Sequence, residues 1–256
     1  MEKVPPAITI FGVRIDNVDL DEALQRLWSF FSRDRGQAVA TVNPEFLMEA
    51  RKNDQFRDAL NASALCVPDG IGIRSVCLLK NIRLKGRVAG ADLFLRVIQC
   101  AAETSKRVFF FGAKQGIAHT AAETLKRRFP SLIIAGAENE YDPLGVEREM
   151  NVVLQRIRTV APDILFVALG APKQELWIRQ HLERLPSVKV AVGVGGTFDF
   201  YAGKIKRAPR LFQRLGFEWL WRLFLQPRRL KRIVTATILF PLSVFTTRSS
   251  IQRTRV

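Results

Sequence analysis

Asp69 follows an apolar run, Ala62–Val67, through Pro68, and is followed in turn by Gly70 and Gly72. Glycines at those positions permit tight turns and a close approach of a ligand to the backbone. They leave Asp69 as the only carboxylate at the tip of that run. It can serve there as a general base, or as a turn residue bonded to its own backbone. The residues alone leave both roles open. Thr41 and Asn43 stand just before Pro44, which restricts Asn43 to extended backbone and suits the first turn of a helix. Polar groups at a strand's carboxyl end, above a helix start, are where α/β sheets bind ligands; capping of that helix is the plainer role for Asn43. Arg87, in Lys85-Gly-Arg-Val-Ala-Gly-Ala-Asp92, has the fork geometry to clamp a diphosphate, although a solvated arginine is the commoner case.

Three glycine turns follow apolar runs further along: Gly112–Gly116 after KRVFFF, Gly170–Glu175 (GAPKQE) after ILFVAL, and Val194–Asp199 after VKVAVG. Backbone amides at such turns favour anionic groups. None is a known nucleotide fingerprint. GxxxxGK[ST] is absent, and Phe198 stands where GxGxxG needs a glycine after Gly193 and Gly195. Neither histidine, His119 or His181, is beside a nucleophile, so a hydrolase triad or zinc site is not indicated. Cys66, Cys77 and Cys100 lack CxxC spacing and read as free thiols. Asp19 and Asp21 form a D-x-D triplet, but Asp19 with Glu22 three residues on is better read as a capping box.

Between these turns, strands are expected near Ile8–Ile15, Gln37–Val42, Ala62–Val67, Lys106–Phe111, Leu132–Ala135, Ile164–Leu169 and Val188–Gly193. Helices are expected over Asp21–Ser32, Pro44–Asn53, Leu93–Glu103 (capped by Asp92), Val146–Val160 and Leu176–Leu185. The alternation predicts an α/β fold, a mostly parallel sheet flanked by helices. The N-terminal MEKVPPAITIFGV has no apolar core of signal-peptide length.

The formal charge of +16 is unevenly placed. Residues 204–256 hold 13 Lys or Arg and one acid, Glu218, a net +12; the preceding 203 residues are +4. Such a field attracts phosphates of lipids, lipid diphosphates or nucleic acid. Arg210, Arg214, Glu218 and Arg222 recur at i+4, predicting one charged helical stripe among Leu211, Phe212, Leu215, Trp219, Leu220, Leu223 and Phe224. So much apolar area suits a bilayer interface or a packing groove better than phosphate tracking. Residues 233–247 are uncharged but too short to span a bilayer, and Pro241 interrupts them; they read as an interfacial segment or a short buried helix. Two units follow: a catalytic core, 1–200, and a basic helical C-terminal appendage, 201–256, with Phe198-Asp199 as hinge and Asp199 structural. A basic nucleic-acid-binding protein and a nucleotide-sugar epimerase or dehydrogenase are the alternatives. The tail's apolar content weakens the first, and the missing dinucleotide fingerprint the second.

TVNPEFLMEA, VPDGIGI, GRVAGADL, FFGA, LGAPKQELWI and GVGGTFDFYAGKIKRAPRLFQRLGFEWLWRLFLQPRRLKRI, in that order, resemble the successive blocks of the WecG/TagA/CpsF glycosyltransferases over about residues 8–232. The resemblance implies an inverting, metal-independent enzyme with a Rossmann-like core that needs no cofactor. It would move a hexosyl residue (N-acetylmannosamine, its uronic acid, glucose or a similar sugar) from a UDP-sugar to a polyprenyl-diphosphate-linked sugar in bacterial cell-surface polysaccharide synthesis. It implies Asp69 as general base, with Thr41, Asn43, Arg87, Gln174 and Glu175 at the donor pocket. Arg207, Arg222, Arg228 and Arg229 would grip the lipid diphosphate. With no metal, Arg87 and the amides near Gly112 and Gly195 are the donors expected to neutralise the departing UDP. Pro68 stands where many members carry a small residue. A cytoplasmic protein, peripheral on the inner face of the cytoplasmic membrane, is implied, with self-association and without nucleic acid.

Overall fold

The computed structural model describes residues 7–139, 146–247 and 250–253. The chain opens with an antiparallel hairpin, β1 (Ala7–Ile10) and β2 (Val13–Asp16). Its two-residue turn, Phe11–Gly12, has positive φ at both positions, which matches the twist of the strands. Asp19 then caps α1 (Leu20–Ser29). Its side chain accepts the Glu22 N–H while Glu22 reaches back to the Asp19 N–H, so the D-x-D triplet is a capping box.

Six parallel strands form the main sheet: β3 (Gln37–Val42), β4 (Leu65–Pro68), β5 (Arg107–Gly112), β6 (Ile133–Glu138), β7 (Ile164–Ala168) and β8 (Val190–Gly193). They lie side by side in the order β4-β3-β8-β7-β5-β6. Between β3 and β4 run α2 (Pro44–Ala50) and α3 (Asp54–Ala62). The expected Pro44–Asn53 helix is divided because the Asn53 side chain accepts the Phe56 N–H and starts a new one. The β4–β5 crossover holds α4 (Ile71–Leu79) and α5 (Gly90–Glu103). Asp92, expected as its cap, lies instead inside the first turn of α5, three residues beyond the observed cap, Ala89. The remaining crossovers are α6 (Ile117–Arg128), α7 (Val146–Val160) and α8 (Lys173–His181).

Both sheet faces are covered, which explains why the strands are apolar throughout rather than alternating. Val108, Phe110, Phe166 and Val192 pack towards α1, α5 and α6, whereas Phe109, Phe111, Leu165 and Val167 pack towards α7 and α8. The architecture is Rossmann-like. The chain leaves β3 for the edge strand β4, crosses the sheet to β5, and returns with β8 beside β3. The order therefore reverses at β3, and the crevice outside its carboxyl end is where open α/β sheets take ligands.

Beyond β8 come α9 (Phe198–Tyr201), α10 (Arg210–Leu215), α11 (Glu218–Leu225), α12 (Leu230–Val234), a π-helical turn (Thr235–Leu239) and α13 (Phe240–Thr246). The last strand, β9 (Ile251–Arg253), pairs with β1, making a second sheet ordered β2-β1-β9. The uncharged run divides by face. Phe240 and Val244 are fully buried with Ile8, Ile10 and Phe46, whereas Ile238, Leu239, Leu242 and Phe245 are exposed. The single stripe expected from Arg210 to Arg222 is broken. Gly216, at φ +78, ends α10 and re-aims the chain, so Glu218 meets other partners; the Arg214 side chain lies outside the described residues. No described helix is long and apolar enough to cross a membrane.

Candidate functional site

A cleft of about 820 Å³ opens over the carboxyl ends of β3, β4, β5, β7 and β8, with α11 and the following 3₁₀ turn, Pro227–Arg229, along one side. Thr41, Asn43, Asp69, Arg87, Gln174, Gly195, Arg222 and Arg229 all line it, although they come from six separated stretches of sequence.

Asp69 is held at the tip of β4 by its own N–H, which donates to the Val42 carbonyl at 2.7 Å. Beside it the 87–90 segment is anchored by the Val88 N–H on the Pro68 carbonyl, at 2.9 Å. This brings Gly90 against both polar groups: an added Cβ there would stand 3.3 Å from Asp69 Oδ2 and 3.3 Å from Thr41 Oγ1. Thr41 and Asp69 thus converge on one point of the cleft floor. Burial pushes the Asp69 carboxyl up to about 7, opposed by the Gly90 N–H and by Arg87, while Glu218 and Asp92 add to the rise. A carboxyl poised there can take a proton near neutrality. Asn43 caps α2, its Oδ1 accepting the Phe46 N–H at 3.0 Å, and it also lines the cleft.

Gln174 joins two loops. Its Oε1 accepts the Gly170 N–H at 3.1 Å and the Gly195 N–H at 2.9 Å, and its Nε2 donates to Glu175 Oε1 at 2.6 Å. The Gly195 amide is therefore engaged within the protein. Glu175 is turned away from the cleft. It is 5% exposed, and burial pushes its carboxyl up to about 8. It lines a second groove, between α3 and α8, and its Oε2 has no hydrogen-bond partner among the described residues. Gly112 also lies outside the lining. An added Cβ would stand 2.8 Å from the Ala168 backbone, so its glycine allows β5 to approach β7, and Ala113 and Lys114 line the cleft instead.

Of the four appendage arginines, Arg222 and Arg229 line the cleft, while Arg207 and Arg228 do not. Arg222 donates to the Gly196 carbonyl at 3.2 Å and lies over the Phe200 ring at 4.6 Å. Burial and the adjacent Arg229 hold its guanidinium down at about 10, still charged at neutral pH. Its Nε is buried without a hydrogen-bond partner among the described residues, so the group has capacity for an anion. Arg207 bridges Asp92 and Glu218, and Arg228 is exposed.

Position in the fold adds residues that spacing did not single out. Lys114, Gln226 and Arg232 line the cleft; so does Asp199, expected only as a structural hinge residue, which faces Arg222 and Arg229 across Gly196. Burial raises the Asp199 carboxyl against the pull of those two arginines and Lys114. Only the general basic excess of the tail pointed towards this cluster. Among the described residues no group of three His, Cys, Asp or Glu side chains is placed to hold a metal ion.

A family model described as "Glycosyl transferase WecG/TagA/CpsF family" matches residues 8–254. Similar proteins include N-acetylglucosaminyldiphosphoundecaprenol N-acetyl-beta-D-mannosaminyltransferases of three organisms. That of Bacillus spizizenii is 37% identical over 81% of this chain and 78% of its own. That of Bacillus subtilis is 36% identical over 89% and 87%, and that of Staphylococcus aureus strain MRSA252 is 30% identical over 90% and 89%.

Proposed function

Since the chain belongs to the WecG/TagA/CpsF glycosyltransferase family, we propose that it transfers N-acetylmannosamine from a UDP-sugar to N-acetylglucosaminyl-diphosphoundecaprenol, with Asp69 as general base. The observation that carries this reading is the placement of Asp69. It stands on the floor of the cleft, beside Thr41, beneath a wall of arginines. The acceptor hydroxyl gives its proton to the Asp69 carboxylate as its oxygen attacks the anomeric carbon. The bond to the UDP oxygen breaks on the opposite face, so the configuration inverts. One carboxylate suffices for this, unlike the pair a glycosidase needs.

The leaving diphosphate needs positive charge placed in advance. Arg87 and Lys114 border the cleft from the core, and Arg222, Arg229 and Arg232 border it from the appendage. We assign the first pair to the donor and the second set to the diphosphate of the lipid-linked acceptor. The engaged Gly195 amide and the recessed Gly112 are structural supports in this scheme. So is Glu175, which orients Gln174.

Residues 201–256 act as the membrane-associating unit, on the inner face of the cytoplasmic membrane. Leu211, Phe217, Phe224, Leu225 and Leu230 are exposed beside the basic side chains, a combination that suits an anionic bilayer surface. The decisive experiment incubates the protein with a panel of UDP-sugars and defined polyprenyl-diphosphate monosaccharides, with products resolved by mass. Transfer of N-acetylmannosamine to the N-acetylglucosaminyl acceptor is expected. Transfer of a different sugar would replace the donor assignment, and no transfer from any UDP-sugar would overturn it.

A further inference from the structure

Residues 204–256 contain one acid among 13 basic side chains, and that acid sits at the cleft rim. Glu218 opens α11 and divides its carboxylate between two arginines. Oε2 is 3.5 Å from Arg87 Nη1, and Oε1 is 3.3 Å from Arg207 Nε. The three side chains are only 18%, 20% and 25% exposed for Arg87, Arg207 and Glu218, so solvent screens the cluster weakly. Arg87 also donates to the Gln213 carbonyl at 2.9 Å. One core guanidinium therefore holds the end of α10 and the start of α11 against the catalytic unit.

A carboxylate between two guanidinium groups takes the place that phosphate oxygens would take. A diphosphate presents more charge and more acceptor oxygens than a carboxylate, and arginine forks pair with it bidentately. Arg87 cannot give the same N–H groups to Glu218 and to a bound diphosphate. Arg207 keeps a second carboxylate, Asp92, whichever anion is present.

We propose that Glu218 occupies the Arg87 guanidinium in the place of a diphosphate, and that a nucleoside diphosphate displaces it, releasing the hold of Arg87 on the end of α10 and the start of α11. This rests on the donor reading above and adds an order to it. Donor binding and release of the Arg87 clamp become one event, so the lipid-linked acceptor meets a loaded site. Linkage requires the converse: whatever weakens the hold of Glu218 strengthens donor binding by the same factor.

UDP is the probe, and Trp219 and Trp221, which follow Glu218 on α11, report on that helix through their emission. Glu218→Gln is isosteric but uncharged. It is expected to bind UDP about 3- to 10-fold more tightly than wild type by calorimetry, because no carboxylate competes for the arginines. Wild type should shift its tryptophan emission on adding UDP, whereas Glu218→Gln should be shifted beforehand and change little. Glu218→Asp, a methylene shorter and unable to reach both arginines, serves if the first variant does not fold, and its affinity is expected to lie between the two. Unchanged or weaker UDP binding by either folded variant, or an equal emission shift in wild type and variant, overturns the displacement. Failure of UDP to bind any of the proteins instead overturns the donor reading on which it rests.

Discussion

Gly193 lies so close to Gln174 that an added Cβ would stand 2.6 Å from Nε2, and 2.7 Å from Glu175 Oε1. The first turn of α8 thus presses on the end of β8, and from there Gln174 reaches the amides of both Gly170 and Gly195. Two loops of the cleft depend on one side-chain amide. Gly193→Ala is expected to cost about 1–3 kcal/mol through overpacking and to lower turnover, although it leaves every charged residue in place. Urea unfolding and a transfer assay check both effects, and an unchanged midpoint would exclude the contact as a constraint.

Asp69→Asn keeps the shape of the side chain and removes the base. Turnover should fall by about 10²- to 10⁴-fold, the range of general-base contributions, while UDP affinity stays within a few-fold of wild type. Near-normal turnover would take Asp69 out of the role.

The carboxyls of Asp69 and Glu175, raised to about 7 and about 8, give two pH effects of opposite sign. Activity needs Asp69 ionised, so kcat/KM should rise with pH and level off above about 7. Stability should change the other way. The folded state keeps two protons that the unfolded chain releases near pH 4, so these groups cost stability increasingly between about pH 4 and pH 8. Below that window both states are protonated and the cost vanishes. The Asp69→Asn/Glu175→Gln double variant is therefore expected to melt higher than wild type at pH 8.5, with the gap closing towards pH 4. Parallel melting curves across that range would show that the two carboxyls are not held protonated.

Phe240 belongs to the basic C-terminal segment by sequence and to the core by packing. It is fully buried and meets Phe11 edge-on, with ring centroids 6.3 Å apart. Phe240→Ala should cost about 3–5 kcal/mol, as for other buried aromatics. A loss below 1 kcal/mol, read from denaturant midpoints, would mean that α13 is dispensable for the core.

The exposed apolar residues of the appendage should be separable from its charges. Sedimentation with vesicles containing anionic lipid is expected for wild type and should weaken as salt rises. Changing Phe224, Leu225 and Leu230 to serine should lower binding at every salt concentration, because the lost area is apolar. Equal binding by the triple variant would move the docking face elsewhere.

Much of this was legible in the chain. The capping box at Asp19 and Glu22 rests on local spacing, and it stands where the spacing put it. The parallel strands announced themselves as short apolar runs ending in glycine turns, because a sheet covered on both faces leaves no polar positions within them. Asp69, Thr41 and Asn43 were visible as polar residues at the ends of such runs, which is where a parallel sheet gathers its ligands.

What sequence alone left open depended on long-range contacts. The chain fixes one acid at position 218 among 13 basic residues, but Gly216 breaks the helix, and only the fold brings Arg87, 131 positions earlier, to meet it. Glu175 and Gln174 are adjacent in sequence, and whether each faces the cleft or the second groove is settled by how α8 packs on β8. The return of β9 to β1 joins opposite ends of the chain, where pairing is specified by register and burial rather than by any local pattern. Residue types and spacing determined the chemistry available and the strands that carry it. The tertiary structure decided which charges meet, since attraction between ions depends on separation and burial that a linear order does not contain.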